Sequence, residues 1–491
     1  MAALFGLAVG DLTASFTNPA SSPLLVVGTA LINAAPTPAK TFAIKWFGTA
    51  DKPLLVGAVL LGTLAIAALA GALSRRRPEL AMGLIIAIAF VVGMVASAQP
   101  TFGQFGFVPA IVTGVVTATG LLVFRQFAIP KPTPAESAGT SDSRRVLLTS
   151  AGLLTAAGLT AGIARHTRRG ADVVRPVALP KPERSLKPLP RGLGTPGVTP
   201  LRTADGEFYR VDTRLRVPAI NPEDWSLTID GDVGRRVRFT YKQLLKMPLI
   251  ERDITLVCVS NPVGGPYAGG ARWLGVRLTD LLDKAGPGSG HADQILSTDV
   301  GGMTISTPLA AATDGRDSMI AVGMNGQPLP QDHGFPARLI VPGLYGFIGA
   351  TKWITRMTLT TYDKHDAYWT ERGWATKAPI KIASRIDTPS DGEELDRGEI
   401  IVGGIAWAHT DGGVAGVQVR VDDGKWRDAT LGPSGGADYW RQWFIRWPAK
   451  RGKHTVAARA LGTDGTVQPA KLAEPFPDGA SGFDAITVSV V

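Results

Sequence analysis

Cysteine is almost absent from this sequence. The 491-residue chain holds one, Cys258, which excludes an intramolecular disulfide framework and any CxxC metal site. Histidine is scarce as well. The six are His166, His291, His333, His365, His409 and His454, and none lies inside an apolar run. A bis-histidine haem held between membrane helices is therefore excluded, and no haem is expected. Charged residues are missing from Leu80 to Phe124, and of 11 tryptophans only Trp46 precedes position 200. These gaps split the chain into two halves that the average composition, 45% apolar with net charge +10, conceals.

The first half is built from apolar runs. Pro53 to Ser74 is uncharged and, at ~1.5 Å per residue, long enough to cross a hydrocarbon core of roughly 30 Å. Leu80 to Ala98 and Phe107 to Phe124 repeat the pattern. Leu4 to Ile32 is interrupted by Asp11 and by Asn18-Pro19…Pro23, so it is one kinked span or a span plus a re-entrant piece. Val146 to Ala164 follows Arg144-Arg145. Residues 1–164 thus read as a transmembrane region of about five spans.

Charge orients these spans. Arg75-Arg76-Arg77 belongs on the cytoplasmic side, because Lys and Arg are retained there. Counting onward puts Arg125, Lys131 and Arg144-Arg145 inside and the rest of the chain outside, although Arg165, Arg168 and Arg169 oppose the last crossing. Ser143-Arg144-Arg145-Val146-Leu147-Leu148 resembles a twin-arginine export signal, whose pathway carries folded domains. The expectation is a multi-pass protein of the plasma membrane whose second half is extracytoplasmic. Its basic residues sit at membrane flanks and in a linker, which points to lipid headgroups and not to nucleic acid.

Residues 165–204 read as a Pro-rich linker: Arg175 to Pro200 (RPVALPKPERSLKPLPRGLGTPGVTP) suggests an extended spacer, not a packed segment. From 205 to 378, strand patterns such as Trp225 to Gly231 and Ile254 to Val259 mix with short helices at Tyr241 to Met247 and Leu278 to Ala285. That mixture is α+β. From 379 to 491 only strands remain: Glu399 to Ala406, Val414 to Val421, Trp440 to Trp447 and His454 to Leu461. Their spacing argues for an immunoglobulin-like β-sandwich. The fold class is therefore multi-domain: transmembrane α-helices, an α+β domain and a C-terminal β-sandwich.

Cys258 closes a strand pattern, and a thiolate suits a soft metal or nucleophilic attack. Asn261 follows, then Gly264-Gly265 and Gly269-Gly270, which would let backbone approach a bulky ligand. Thr255-Leu256-Val257-Cys258-Val259-Ser260-Asn261 and Ala271-Arg272-Trp273-Leu274-Gly275-Val276 resemble the molybdenum-cysteine segment of the sulfite oxidase family. His333-Gly334-Phe335-Pro336-Ala337-Arg338 through Pro342-Gly343 is similar to its H-G-F-P-x-R segment, and Thr351-Lys352-Trp353 to its V-K-W. Tyr209-Arg210, Val217-Pro218 and Asn221-Pro222 follow its R-N-H-x-P-V-P-x-x-D-P stretch. Ser384-Arg385-Ile386-Asp387, Gly403 to Trp407 and Val419 to Gly424 resemble its C-terminal immunoglobulin-like domain.

The resemblance implies a molybdenum-molybdopterin cofactor bonded to the Cys258 thiolate and oxygen-atom transfer coupled to two-electron redox. It implies that His333 and Arg338 hold the pterin and its phosphate, that Thr351 and Lys352 contact the cofactor from the other side, and that Asn261 lies near the metal. Arg210 would face the substrate. A small-molecule oxo-acceptor or oxo-donor, an external electron-transfer partner and a possible homodimer are implied too. The sequence also departs from the family. Arg210-Val211-Asp212 stands for R-N-H, and Tyr345-Gly346-Phe347-Ile348-Gly349 lacks the arginine that sulfite oxidases carry before V-K-W. A desolvated dianion needs paired charge, so reduction of an S-oxide or N-oxide competes with sulfite oxidation. A non-enzymatic membrane-anchored binding protein is the further alternative.

Overall fold

The structure, a computed structural model, describes residues 1–36, 39, 42–43, 46–47, 50–99, 102, 105–128, 141–171 and 177–491. The chain divides into two compact units: residues 1–175 with 212–219, and residues 176–211 with 220–491.

The first unit is helical. Its helices are α1 (Ala2–Phe16), α2 (Pro23–Ala34), α3 (Asp51–Arg76), α4 (Pro78–Ser97), α5 (Val108–Ala128) and α6 (Ser141–Ala171). Pro23 and Pro78 open α2 and α4, where a missing N–H costs nothing and the fixed φ suits the first turn. Among the described residues, three helices are long and apolar enough to cross a membrane: Asp51–Arg76, Pro78–Ser97 and Val108–Gln126. This is fewer than the five expected runs. The run from Leu4 to Ile32 breaks where Asn18 Oδ1 accepts from Ala20 N–H at 3.0 Å and opens the turn Pro19–Ser21, leaving two helices of 15 and 12 residues. The run from Val146 to Ala164 lies within α6, which is not among the three. Lys131 and residues 172–176 lie outside the described residues, as do the side chains of Arg144 and Arg145. Helices α1 and α5 meet through small residues: a Cβ on Gly6 would stand 2.1 Å from Thr117 Oγ1, and one on Gly10 would stand 1.8 Å from Thr113 Oγ1. Such close backbone approach is how helices associate when water does not drive them together. Residues 212–219, expected with the catalytic domain, group with this unit, and Lys52 Nζ pairs with Asp212 Oδ1 at 2.9 Å.

The second unit begins with two sheets. In one, Leu249–Val257, Ala268–Arg277, Met319–Met324 and Gln327–Pro328 lie side by side, and Arg338–Ile340 pairs with Met319–Met324. In the other the order is Val237–Thr240, Ser226–Gly231, Ile354–Thr360, Gln294–Asp299 and Thr304–Pro308. Helix Leu278–Ala285 buries Leu278, Leu281 and Ala285 on one stripe and stops at Gly286, whose φ of 73° a glycine adopts without strain. This helix agrees with the sequence pattern, whereas the strand expected over Ile254 to Val259 runs from Leu249 to Val257 and stops one residue before Cys258.

The C-terminal region is β-rich. Ala383–Thr388, Gly398–Trp407, Arg441–Ala449 and Thr430–Leu431 form one sheet; Glu394–Leu395, Asp484–Val490, Gly452–Gly462, Val414–Val421 and Arg427–Asp428 form another. Trp443, Val402, Val456 and Val488 share one apolar core between them. The proline-rich segment is not a free spacer over its described part. Glu183 N–H donates to Leu249 O at 2.9 Å, Leu193 N–H to Gln442 Oε1 at 2.8 Å, and Leu201 O accepts from Trp440 Nε1 at 2.7 Å. Proline removes donors but leaves carbonyls and apolar side chains, so an extended strap still packs: Val198 and Leu201 are buried.

Candidate functional site

Cys258 follows the strand Leu249–Val257, and its N–H donates to Tyr267 O at 2.9 Å. The residue keeps partial access to solvent, yet the surrounding protein desolvates the sulfur and pushes its pKa up. Ser260 Oγ, 2.9 Å from Sγ, and the charge of Lys352 act in the opposite direction by favouring the thiolate.

The loop after Cys258 is held by Asn261. Its N–H donates to Cys258 O at 3.0 Å, and its Oδ1 accepts from Tyr267 N–H at 2.8 Å. Gly269 and Gly270, expected to admit a ligand, sit instead on the strand Ala268–Arg277 beneath aromatic rings. A Cβ on Gly269 would stand 2.6 Å from the Phe208 ring, and one on Gly270 would stand 2.8 Å from Tyr439.

Arg338 is on the strand Arg338–Ile340 and is only 5% exposed. Its Nη1 donates to His333 O at 3.1 Å, and its Cζ stands 5.2 Å from the Trp273 ring centre. Its Nε is buried without a partner, and no carboxylate pairs with it among the described residues. Burial alone pulls this guanidinium down to about 10, below its ordinary value. His333 is buried in the turn Gln331–His333 and is held neutral by desolvation. Its Nε2–H donates to Asp205 O at 3.0 Å, which leaves Nδ1 as an acceptor. Gly334 follows with φ 113°, and a Cβ there would stand 3.2 Å from Lys352 Cα, so only glycine lets the two segments approach. Lys352 Nζ donates to Asp332 O at 3.0 Å and lies 4.5 Å from the Trp353 ring centre. Thr351 is buried, and its Oγ1 lies 2.6 Å from Ser297 Oγ.

These residues divide by role. Cys258, His333, Arg338 and Lys352 converge, whereas the side chain of Asn261 is spent on the Tyr267 backbone and that of Thr351 on Ser297 Oγ. Arg210 is half-buried on the coil beyond Asp205–Glu207 and interacts with neighbouring groups. Two residues that sequence reasoning did not single out as site groups lie near enough to the thiol to feel its charge. The phenols of Tyr209 and Tyr345 are raised by burial, and the nearby Cys258 adds to both shifts. Their signal was present: Tyr209 adjoins Arg210, and Tyr345 opens the loop that lacks the expected arginine. The arrangement offers a soft anionic ligand beside an uncompensated buried cation and neutral hydrogen-bond donors. It suits a bulky anionic group that carries a thiophilic metal.

Residues 214–369 match the family described as oxidoreductase molybdopterin binding domain. The mitochondrial sulfite oxidase of Rattus norvegicus is 30% identical over 308 residues, covering 53% of this chain and 56% of that protein. The sulfite oxidase of Gallus gallus is 29% identical over 54% of this chain and 68% of that protein. The crystal structure of the sulfane dehydrogenase SoxCD from Paracoccus pantotrophus matches with a TM-score of 0.52 at 21% identity, covering 64% of this chain and 91% of that chain, a likeness of fold. The chain spans about half the length of the mitochondrial relatives it matches. The chain thus carries a molybdopterin-binding oxidoreductase domain over residues 214–369 and is similar to the sulfite oxidases.

Proposed function

We propose that this chain is a membrane-anchored oxidoreductase in which Cys258 ligates the molybdenum of a bound molybdopterin and a small substrate gains or loses oxygen beside it. One observation carries the reading: Arg338 is a deeply buried guanidinium with an unpartnered Nε and, among the described residues, no carboxylate partner. A buried charge is costly unless paired, and a phosphate matches the guanidinium fork in charge and geometry. The residues present therefore fit the cofactor that the family implies. When bound, that cofactor supplies two-electron redox and oxygen-atom exchange, its electrons passing to or from an external partner.

The protein's own groups have separate tasks. Arg338 and His333 hold the phosphate-bearing pterin, and the His333 tautomer is fixed by Asp205 O. The positive charge of Lys352 favours the thiolate against the desolvation that raises the Cys258 pKa. Asn261 and Thr351 keep the two flanking loops in register, and Arg210 meets substrate. Residues 1–164 act as a multi-pass plasma-membrane anchor that leaves the catalytic domain, residues 205–378, on the extracytoplasmic side. Residues 379–491 act as an immunoglobulin-like sandwich of the dimerisation type. A second reading, reduction of an S-oxide or N-oxide, is favoured by Tyr345 and Phe347 in the loop where sulfite oxidases carry an arginine. The test is release of the pterin from denatured full-length protein made in a cofactor-competent host. About one pterin per chain is expected, and its absence would contradict the reading.

A further inference from the structure

Resting on the molybdenum reading above, we propose that Tyr209 is a specificity-determining residue. Its hydroxyl donates a hydrogen bond to the oxygen of a neutral organic sulfoxide and so favours that substrate over an oxyanion.

The Tyr209 ring is fixed from one side. It stacks on Phe208 with ring centres 5.3 Å apart and planes 20° from parallel. Phe208 is itself buried and gripped edge-on by Trp273 at 5.7 Å and by His333 at 5.3 Å. Gly269 is what allows this ring to lie so close to the strand. The phenol therefore stacks on a ring that is itself packed against His333 and Trp273, the two residues that flank Arg338.

The hydroxyl is uncommitted. It has no hydrogen-bond partner among the described residues, and it stands 4.0 Å from where a Cβ on Gly346 would be. It is thus aimed at the loop 345–349, with Cys258 and Arg338 close enough to act on it electrostatically. Burial and the neighbouring thiol keep it protonated, so it contributes a donor and no charge. The residue keeps partial access to solvent and its hydroxyl pairs with no described protein group, so a bound acceptor takes the place of water there. A neutral S=O oxygen matches such a donor fully, whereas a dianion gains one hydrogen bond but no counter-charge. Phe347, 5.6 Å from Trp374 between ring centres, adds apolar surface suited to organic substituents.

The reaction balances with an external carrier as electron source. One organic sulfoxide takes up two protons and two electrons and yields one thioether and one water. The S–O bond breaks, sulfur is reduced, and the oxygen leaves in the water with both protons.

The test uses detergent-solubilised, molybdenum-loaded full-length protein. Methyl phenyl sulfoxide and, separately, sulfate are titrated calorimetrically into the wild type and Tyr209→Phe. Equal molybdenum content in both, a roughly tenfold higher Kd for the sulfoxide and a sulfate Kd changed less than twofold are expected. With reduced viologen as donor, KM for the sulfoxide rises while kcat stays within about twofold. An unchanged sulfoxide Kd in loaded Tyr209→Phe overturns the inference, as does equal weakening of both ligands. A wild type that holds no molybdenum overturns the functional reading instead.

Discussion

Arg338 is expensive for the empty protein. Its guanidinium is stripped of water, leans on Trp273 and His333 O, and faces no carboxylate among the described residues. Replacing a buried, poorly compensated charge by an apolar group of similar length is often neutral or stabilising. Arg338→Met is therefore expected to leave the melting temperature of the cofactor-free protein unchanged or raised, while pterin retention falls by at least tenfold. A calorimetric scan of apoprotein beside pterin analysis of protein from a cofactor-competent host checks both. A residue kept only for folding would show the reverse. The sequence offered Arg338, His333 and Lys352 through local motifs, because a motif preserves spacing along the chain. It did not offer Tyr209 as a site group, because the ring is positioned by stacking on Phe208, whose place depends on the close approach of Gly269.

At the level of elements, regular periodicity was legible and aperiodic chain was not. Helix Leu278–Ala285 and strand Val414–Val421 lie where apolar spacing predicts them. The proline-rich strap reads as a spacer because its composition carries no period, yet its backbone is tied to the second unit. Gln442 is the clearest tie. Its buried side chain accepts from Leu193 N–H at 2.8 Å and donates to Thr199 O at 2.7 Å. Gln442→Ala is expected to destabilise the second unit by about 1–3 kcal/mol, since it strands a donor and an acceptor in a dry interface. Amide exchange at Leu193 should quicken in step. Unchanged exchange would mean that the strap is held elsewhere. The first apolar run shows the opposite error: its hydropathy is continuous, but Asn18 and two prolines divide it into two short helices.

Across the whole second unit, the C-terminal region grips the strand that leads into Cys258. His409 Nε2–H donates to Thr255 O at 3.1 Å, Trp440 N–H donates to Thr255 Oγ1 at 2.9 Å, and Thr255 N–H donates to Asp438 O at 2.9 Å. Burial pulls His409 down to about 4 from an ordinary 6.5. Between those values the unfolded chain binds a proton that the folded one refuses. Stability contributed by neutral His409 is thus complete above pH 6.5 and is lost as pH falls toward 4, at up to ~1.4 kcal/mol per pH unit. His409→Gln should flatten that part of the stability profile in denaturant melts from pH 7 to 4. An identical slope would assign the acid sensitivity to other groups. The division into a helical and a β-rich half was legible from the distribution of charge and tryptophan, whereas the grouping of residues 212–219 with the helices depends on contacts no local pattern encodes. Every functional step above hangs on a molybdenum bonded to Cys258, and metal analysis of full-length protein from a cofactor-competent host probes that bond. About one molybdenum per wild-type chain is expected, with loss of metal-dependent turnover in Cys258→Ser. A wild type without molybdenum, or a Cys258→Ser variant with undiminished turnover, would contradict it.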